Sequence, residues 1–210
     1  MVDSVLVAAP TYRGKRYCLV HYIEAYNDFV YPNRDLLLVD NTGDEGKYAA
    51  WISKEFGVGV RHIEPEAEFE HTFTRAWEVI TDYAVEHMYG WVLSLEQDII
   101  GPPLLIDTLL NAAAYVASPF VTHTYPFHDG KPGYYQAMGC TLMATSLLVR
   151  AMDYVKEEGY TKGLVEGAIY EVARRGTHIS LHDLLPLTHL DGDGEFRQYR
   201  PITDPRVEMI

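Results

Sequence analysis

The sequence predicts an α/β protein: a single domain with a mixed, mostly parallel sheet flanked by helices. Two observations predict it. Through the first half of the 210 residues, short apolar runs that read as buried strands alternate with longer segments of helical periodicity, the sequence form of a parallel sheet with helices on its faces. The carboxyl ends of those runs, PTYR, DNTGD, EPEAE and EQD, gather polar and aromatic residues. Sheets of this kind bind their ligands at that edge.

The elements follow in order. SVLVAAP (4–10) is a β-branched strand ended by proline. KRYCLVHYIEAYNDFV (15–30) places Leu19, Tyr22, Ile23, Tyr26 and Val30 at helical spacing. DLLLVDNTGD (35–44) is a strand running into a turn, and DEGKYAAWISKEFG (44–57) a helix stopped by glycine. VGVRHIE (58–64) is a third strand, HTFTRAWEVITDYAVEHM (71–88) a long amphipathic helix and GWVLSLE (90–96) a fourth strand. PPLLIDTLLNAAAYVA (102–117) opens with prolines, which a helix start permits. PFVTHTYPF and YYQAMGCTLMATS read as strands around a GKPG loop, and SLLVRAMDYVKEEG and GLVEGAIYEVARRG as helices closed by glycine. THISLHDLLPLTHL (177–190) is a strand pair or one bent strand, and the tail from Asp191 has turn residues and little periodicity. No internal repeat or linker marks a second domain. Residues 1–190 therefore form the domain, and 191–210 a tail whose Gly192 and Gly194 would let it fold over the site as a lid.

Composition narrows the partners. A formal net charge of −13 argues against nucleic acid and anionic membranes, while leaving room for a local basic pocket such as Arg13, Lys15 and Arg16. Sixteen tyrosines offer stacking faces with a hydroxyl, suited to sugars or bases. Two distant cysteines, Cys18 and Cys140, read as free buried thiols rather than a disulfide framework or zinc motif. No basic region precedes the first apolar run, and no run approaches membrane-spanning length. The expected location is cytoplasmic.

The stretch WVLSLEQDIIGPP delivers Glu96 and Asp98 at the end of a core strand. Such a pair is either two ordinary loop carboxylates or half of a site for a hard divalent cation, Mn2+ or Mg2+, completed by another residue, water and a ligand's phosphates.

Several short motifs in this order resemble GT-A glycosyltransferases related to glycosyltransferase family 2, from about Val5 to His189. That resemblance implies a Rossmann-like nucleotide-diphospho-sugar transferase domain. APTYR would receive the nucleoside through Pro10, Thr11 and Tyr12, and LLLVDNT would read the base through Asp40 and Asn41. Arg75 in FTRAWE would approach the base or diphosphate. Glu96-Gln97-Asp98 stands where the family has Asp-X-Asp, with Asp98 on the metal and Glu96 near the sugar or ribose. AMGCTLMA would line the acceptor side at Gly139, Glu166 would be the general base, and His189 would complete the metal site. The family's second acid beside the base is absent, and Glu171 is the rival for that role. An Asx-turn is the other reading of Asp40. The resemblance implies inverting transfer from a UDP- or GDP-type sugar donor to a glycan or other hydroxyl acceptor. Alternatives are a sugar-phosphate nucleotidyltransferase, a glycosidase using Glu96 and Glu166, and a nucleotide-sugar-binding domain without catalysis.

Overall fold

The structure, a computed structural model, describes residues 3–126, 134–158, 165–175, 178–180, 185, 187–190 and 196–198. The first half alternates as the periodicity requires: β1 (Val5–Thr11), α1 (Arg16–Asp28), β2 (Arg34–Asp40), α2 (Lys47–Phe56), β3 (Gly59–His62), α3 (Phe69–Glu86) and β4 (Trp91–Leu95). Then come β5 (Ile99–Ile100), α4 (Leu105–Tyr115), β6 (Phe120–Pro126), β7 (Tyr134–Ala144), α5 (Thr145–Glu158), α6 (Val165–Arg174), β8 (His178–Ser180), β9 (Thr188–Leu190) and β10 (Phe196–Gln198).

Seven strands form the main sheet in the order β3-β2-β1-β4-β7-β6-β8. Only β7 runs against its neighbours; every other pairing is parallel. The period-2 geometry of a strand divides its side chains between two cores. Val5, Val7 and Ala9 of β1 pack with Leu19, Tyr22, Ile52 and Leu109 from α1, α2 and α4. Leu6 and Ala8 pack with Trp77, Ile80, Leu148 and Ile169 from α3, α5 and α6. Both faces are thus covered, which is why β1 is apolar at consecutive positions rather than alternate ones.

The parallel strands end on one edge, in register. Thr11 of β1 lies opposite Asp40 of β2, and Asp40 opposite His62 of β3. A second, three-stranded sheet, β10-β9-β5, stands beyond the end of β4. Its register sets Ile99 against His189 and Arg197 against His189 from the other side.

Four details depart from the sequence reading. Residues 58–64 pair as a strand only over Gly59–His62. A one-turn 3-10 helix, Arg13–Lys15, precedes α1. The two strands of 177–190 belong to different sheets, β8 beside β6 and β9 in the small sheet. The tail contributes β10, which pairs with β9. Residues 191–195 and 199–210, and with them the lid reading of the tail, lie outside the described residues.

Candidate active site at the carboxyl edge of the sheet

The site has two halves, joined by the turn after β1. In the first, Thr11 Oγ1 donates to Gln97 Oε1 at 2.6 Å, with both residues buried. That bond orients the amide and leaves Gln97 Nε2, a buried donor, without a hydrogen-bond partner. Glu96 N donates to Gly139 O at 2.9 Å and Ile99 N to Glu96 O at 2.9 Å, so the EQD segment is pinned as a tight turn between β4 and β5. Tyr22 of α1 fixes the end of β4 by donating to Leu95 O at 3.1 Å.

This turn presents Asp98, whose side chain is 9% exposed. Its Oδ2 is ion-paired with Lys15 Nζ and lies 3.7 Å from His189 Nε2. Its Oδ1 is buried with no hydrogen-bond partner. His189 is brought there by backbone: Leu190 N donates to Asp98 O at 2.8 Å, and β5 pairs with β9. Tyr17 Oη reaches Leu190 O at 3.4 Å and ties the same strand to α1. Burial lowers the Lys15 pKa, but the hydrogen bond and charge of Asp98, with Glu96 behind it, outweigh burial and leave it above the usual lysine value. Asp98 is therefore not an ordinary loop carboxylate. It is a buried carboxylate held by a lysine 83 residues away in sequence.

The second half is a carboxylate–imidazole–carboxylate chain. Asp40, fully buried, accepts from Thr42 N at 3.0 Å through Oδ1 and meets His62 Nδ1 at 2.9 Å through Oδ2. The Asx-turn reading and an ion-pairing role are both realised in the one carboxylate. His62 Nε2 is 2.9 Å from Glu64 Oε1. Burial lowers the His62 pKa, yet the hydrogen bonds to Glu64 and Asp40 overcome it and the net shift is upward. Arg13 borders this half: its backbone N donates to Thr42 Oγ1 at 2.9 Å, and its guanidinium pairs with Asp44. Asp44 also accepts from Tyr48 N at 3.1 Å and so caps α2. Asn41 N donates to Thr11 O at 2.9 Å, locking the first two strand ends together.

Tyr12 is 50% exposed between the halves. A Cβ on Gly14 would come within 2.2 Å of its ring, so this position needs glycine for the ring to lie down on the turn. Pro10, half-buried, is the penultimate residue of β1, opposite Val39.

The structure thus gathers Thr11, Gln97, Asp98 and His189 on one side and Asp40 with Asn41 on the other, with Pro10, Tyr12, Glu96 and Gly139 around them. Arg75 is exposed on α3, with no hydrogen bond or ion pair to Asp40 or Asp98. Glu166 is the second residue of α6, but its side chain lies outside the described residues, as do His182 and the side chains of Tyr134 and Tyr135. Two residues of the site went unassigned in sequence. Lys15 was visible only as one of three basic residues after β1. His62 was hidden beside an acid-rich stretch that reads as a solvated loop.

A divalent cation suits the first half. A buried carboxylate oxygen without a partner and an imidazole nitrogen are fitting donors. Among the described residues no group of three or more His, Cys, Asp or Glu side chains is placed to hold a metal. An ion here would take Asp98 and His189 from the protein and its remaining ligands from a diphosphate and water. Lys15 already stands on one oxygen of that carboxylate.

No protein-family model and no curated protein matches the chain. Solved structures do. A 4-diphosphocytidyl-2C-methyl-D-erythritol synthase superposes with a TM-score of 0.61 at 13% identity over 86% of this chain and 89% of its own. The mannosyltransferase PcManGT from Pyrobaculum calidifontis, solved with GDP-Man and Mn2+, gives 0.55 at 14% over 86% of this chain and 55% of its own. S. aureus TarS 1-349 in complex with UDP gives 0.57 at 10% over 85% of this chain and 57% of its own. The chain has the GT-A fold. It spans a little over half the length of the mannosyltransferase and TarS structures and most of the synthase. The GT-A fold explains the two-part edge: a parallel half ending in Thr11, Asp40 and His62, and an antiparallel half where β7 and the small sheet carry Gly139 and His189. No described helix is long and apolar enough to cross a membrane.

Proposed function

We propose that the protein is an inverting glycosyltransferase, of the kind found in glycosyltransferase family 2. It moves a sugar from a UDP- or GDP-type donor to a hydroxyl of a glycan or other acceptor. The observation that carries this reading is the meeting of Asp98, with its buried open oxygen, and His189 at the carboxyl edge of the sheet. Mn2+ or Mg2+, held by Asp98 and His189, would supply Lewis-acid neutralisation of the charge that grows on the leaving nucleotide.

The chain's own residues have separate tasks. Tyr12 offers a stacking face to the nucleoside, and Gly14 keeps that face in place. Asp40 shapes the base end with Asn41, held rigid by His62 and Thr42. Gln97, turned by Thr11, holds a buried, unpartnered Nε2 one residue from Asp98. Glu166, at the start of α6, accepts the proton of the acceptor hydroxyl as that oxygen attacks the anomeric carbon. The bond to the diphosphate oxygen breaks on the opposite face, and the anomeric configuration inverts.

One specific feature favours a second reading. The basic turn Arg13-Gly14-Lys15-Arg16 after β1, together with likeness to a Leptospira borgpetersenii cytidylyltransferase at a TM-score of 0.58 and 13% identity, suits a nucleotidyltransferase. The discriminating experiment offers UDP- and GDP-sugars with Mn2+ in one arm, and a sugar 1-phosphate with nucleoside triphosphate in the other. Release of nucleoside diphosphate supports glycosyl transfer, and release of pyrophosphate supports the second reading. Nucleotide binding without turnover in either arm indicates a binding domain. Glu166→Gln should abolish transfer while sparing donor binding; unimpaired transfer removes Glu166 as base.

A further inference from the structure

We propose that Lys15 is a tethered counter-cation: it holds Asp98 when no divalent ion is bound, competes with the ion for that carboxylate, and passes to the donor's diphosphate when the ion arrives. The proposal rests on the metal site of the proposed function and adds a residue and a coupling to it.

Three observations support it. Lys15 Nζ is paired with Asp98 Oδ2, and that same oxygen is 3.7 Å from His189 Nε2. An ion bridging Asp98 and His189 would occupy space the ammonium now reaches. The ammonium is a compact point charge with three donors on a flexible four-carbon stem, so it can stand in for a cation and move aside. The geometry of the stem allows movement: the Lys15 side chain is 26% exposed, whereas its backbone is fixed, with N donating to Tyr12 O at 2.9 Å and Cys18 Sγ donating to Lys15 O at 3.0 Å. The head can swing while its root stays.

The electrostatics then dictate an order. A divalent ion on Asp98 beside an ammonium on the same carboxylate puts like charges a few ångströms apart in a partly buried site, which is costly. A nucleoside diphosphate relieves the conflict, because its phosphate oxygens give Lys15 another anionic partner. Nucleotide and metal must therefore strengthen each other's binding, by the same factor in either order. Without nucleotide the lysine keeps the metal weak and keeps the buried carboxylate paired.

The test is Mn2+ binding followed by electron paramagnetic resonance, with and without UDP or GDP, in the wild type, Lys15→Met and Lys15→Arg. Lys15→Met should bind Mn2+ alone about tenfold more tightly than the wild type, and the enhancement by nucleotide should shrink by a similar factor. Lys15→Arg should keep the weak binding of the wild type. Mn2+ should also raise the melting temperature of Lys15→Met more than that of the wild type. Unchanged or weaker Mn2+ affinity in a folded Lys15→Met overturns the proposal. In case Lys15→Met does not fold, the wild type alone decides: Mn2+ should speed acetylation of Lys15 by acetic anhydride, and added UDP or GDP should slow it. An acetylation rate indifferent to saturating Mn2+ overturns it equally. The two levels fail differently. Mn2+ that binds the wild type through Asp98 but no better in Lys15→Met removes only the role of Lys15. Mn2+ that binds neither protein, with or without nucleotide, removes the metal site as well.

Discussion

Replacing His62 with glutamine should make the fold less dependent on pH, and the size of the effect can be worked out. A neutral imidazole has one N–H and can donate to one carboxylate only; the cation donates to both. His62 faces Asp40 at 2.9 Å and Glu64 at 2.9 Å. The Asp40 side chain is fully buried, whereas the Glu64 side chain is 64% exposed and its contact is screened. A hydrogen bond to a buried charged group contributes about 1.5–3 kcal/mol, and an exposed pair about 0.5 kcal/mol. Near pH 6 the His62→Gln variant should therefore be about 2 kcal/mol less stable, or about 4–8 °C lower in melting temperature for a chain of this size. The folded pKa of His62 is raised, so the folded state holds the proton more tightly than the unfolded chain. That stability is fully present below the unfolded value near 6.5 and is lost as pH rises through the folded pKa, at no more than about 1.4 kcal/mol per pH unit. The wild type should lose stability relative to His62→Gln across that window, so the gap between them narrows. Thermal melts of both proteins from pH 5.5 to 9 read it directly. Parallel curves, or a gap that widens with pH, would refute the bridging role of His62.

Other perturbations act on single contacts. Gly14→Ala places a methyl where the Tyr12 ring lies, at 2.2 Å, so the ring must move; binding of UDP or GDP should weaken with little change in melting temperature, and unchanged calorimetric affinity would show that Tyr12 is not a nucleoside contact. Thr11→Val removes the bond that orients Gln97 and leaves its Oε1 buried without that donor, a cost of about 1–3 kcal/mol, visible as a fall of several degrees in the melting curve. Cys18 and Cys140 are buried, with thiol pKa values pushed by burial to about 11 and about 12. Neither should react with a thiol reagent at pH 8 until the protein unfolds, and rapid labelling of the native state would contradict the packing of α1 and β7.

The layered α/β architecture was legible because its cause is local. Strand and helix periods are written in consecutive residues, and Thr11, Asp40 and Asp98 stand at strand ends that the alternation alone could locate. The pairings were not legible. Lys15 meets Asp98 across 83 residues, and His62 meets Asp40 across 22, through registers that no periodicity reveals. Strand β5 is two residues long and pairs with β9 from the far end of the chain, so the small sheet that delivers His189 had no local signal. Helical phase puts Arg75 on the exposed face of α3, while Ala76 and Trp77 turn into the core. Glu64 shows the limit of composition. In an acid-rich stretch it looks like one more solvated carboxylate, yet it meets the imidazole two residues before it, which the register of β3 holds against Asp40.

The most direct test of the cation-assisted donor site at Asp98 is calorimetric titration of UDP and GDP into the wild type and Asp98→Asn, with Mn2+ and with EDTA. One nucleotide should bind the wild type at least about tenfold more tightly with Mn2+ than with EDTA, and Asp98→Asn should lose that difference. Equal affinities in Mn2+ and EDTA, or an undiminished Mn2+ effect in a folded Asp98→Asn, would contradict it.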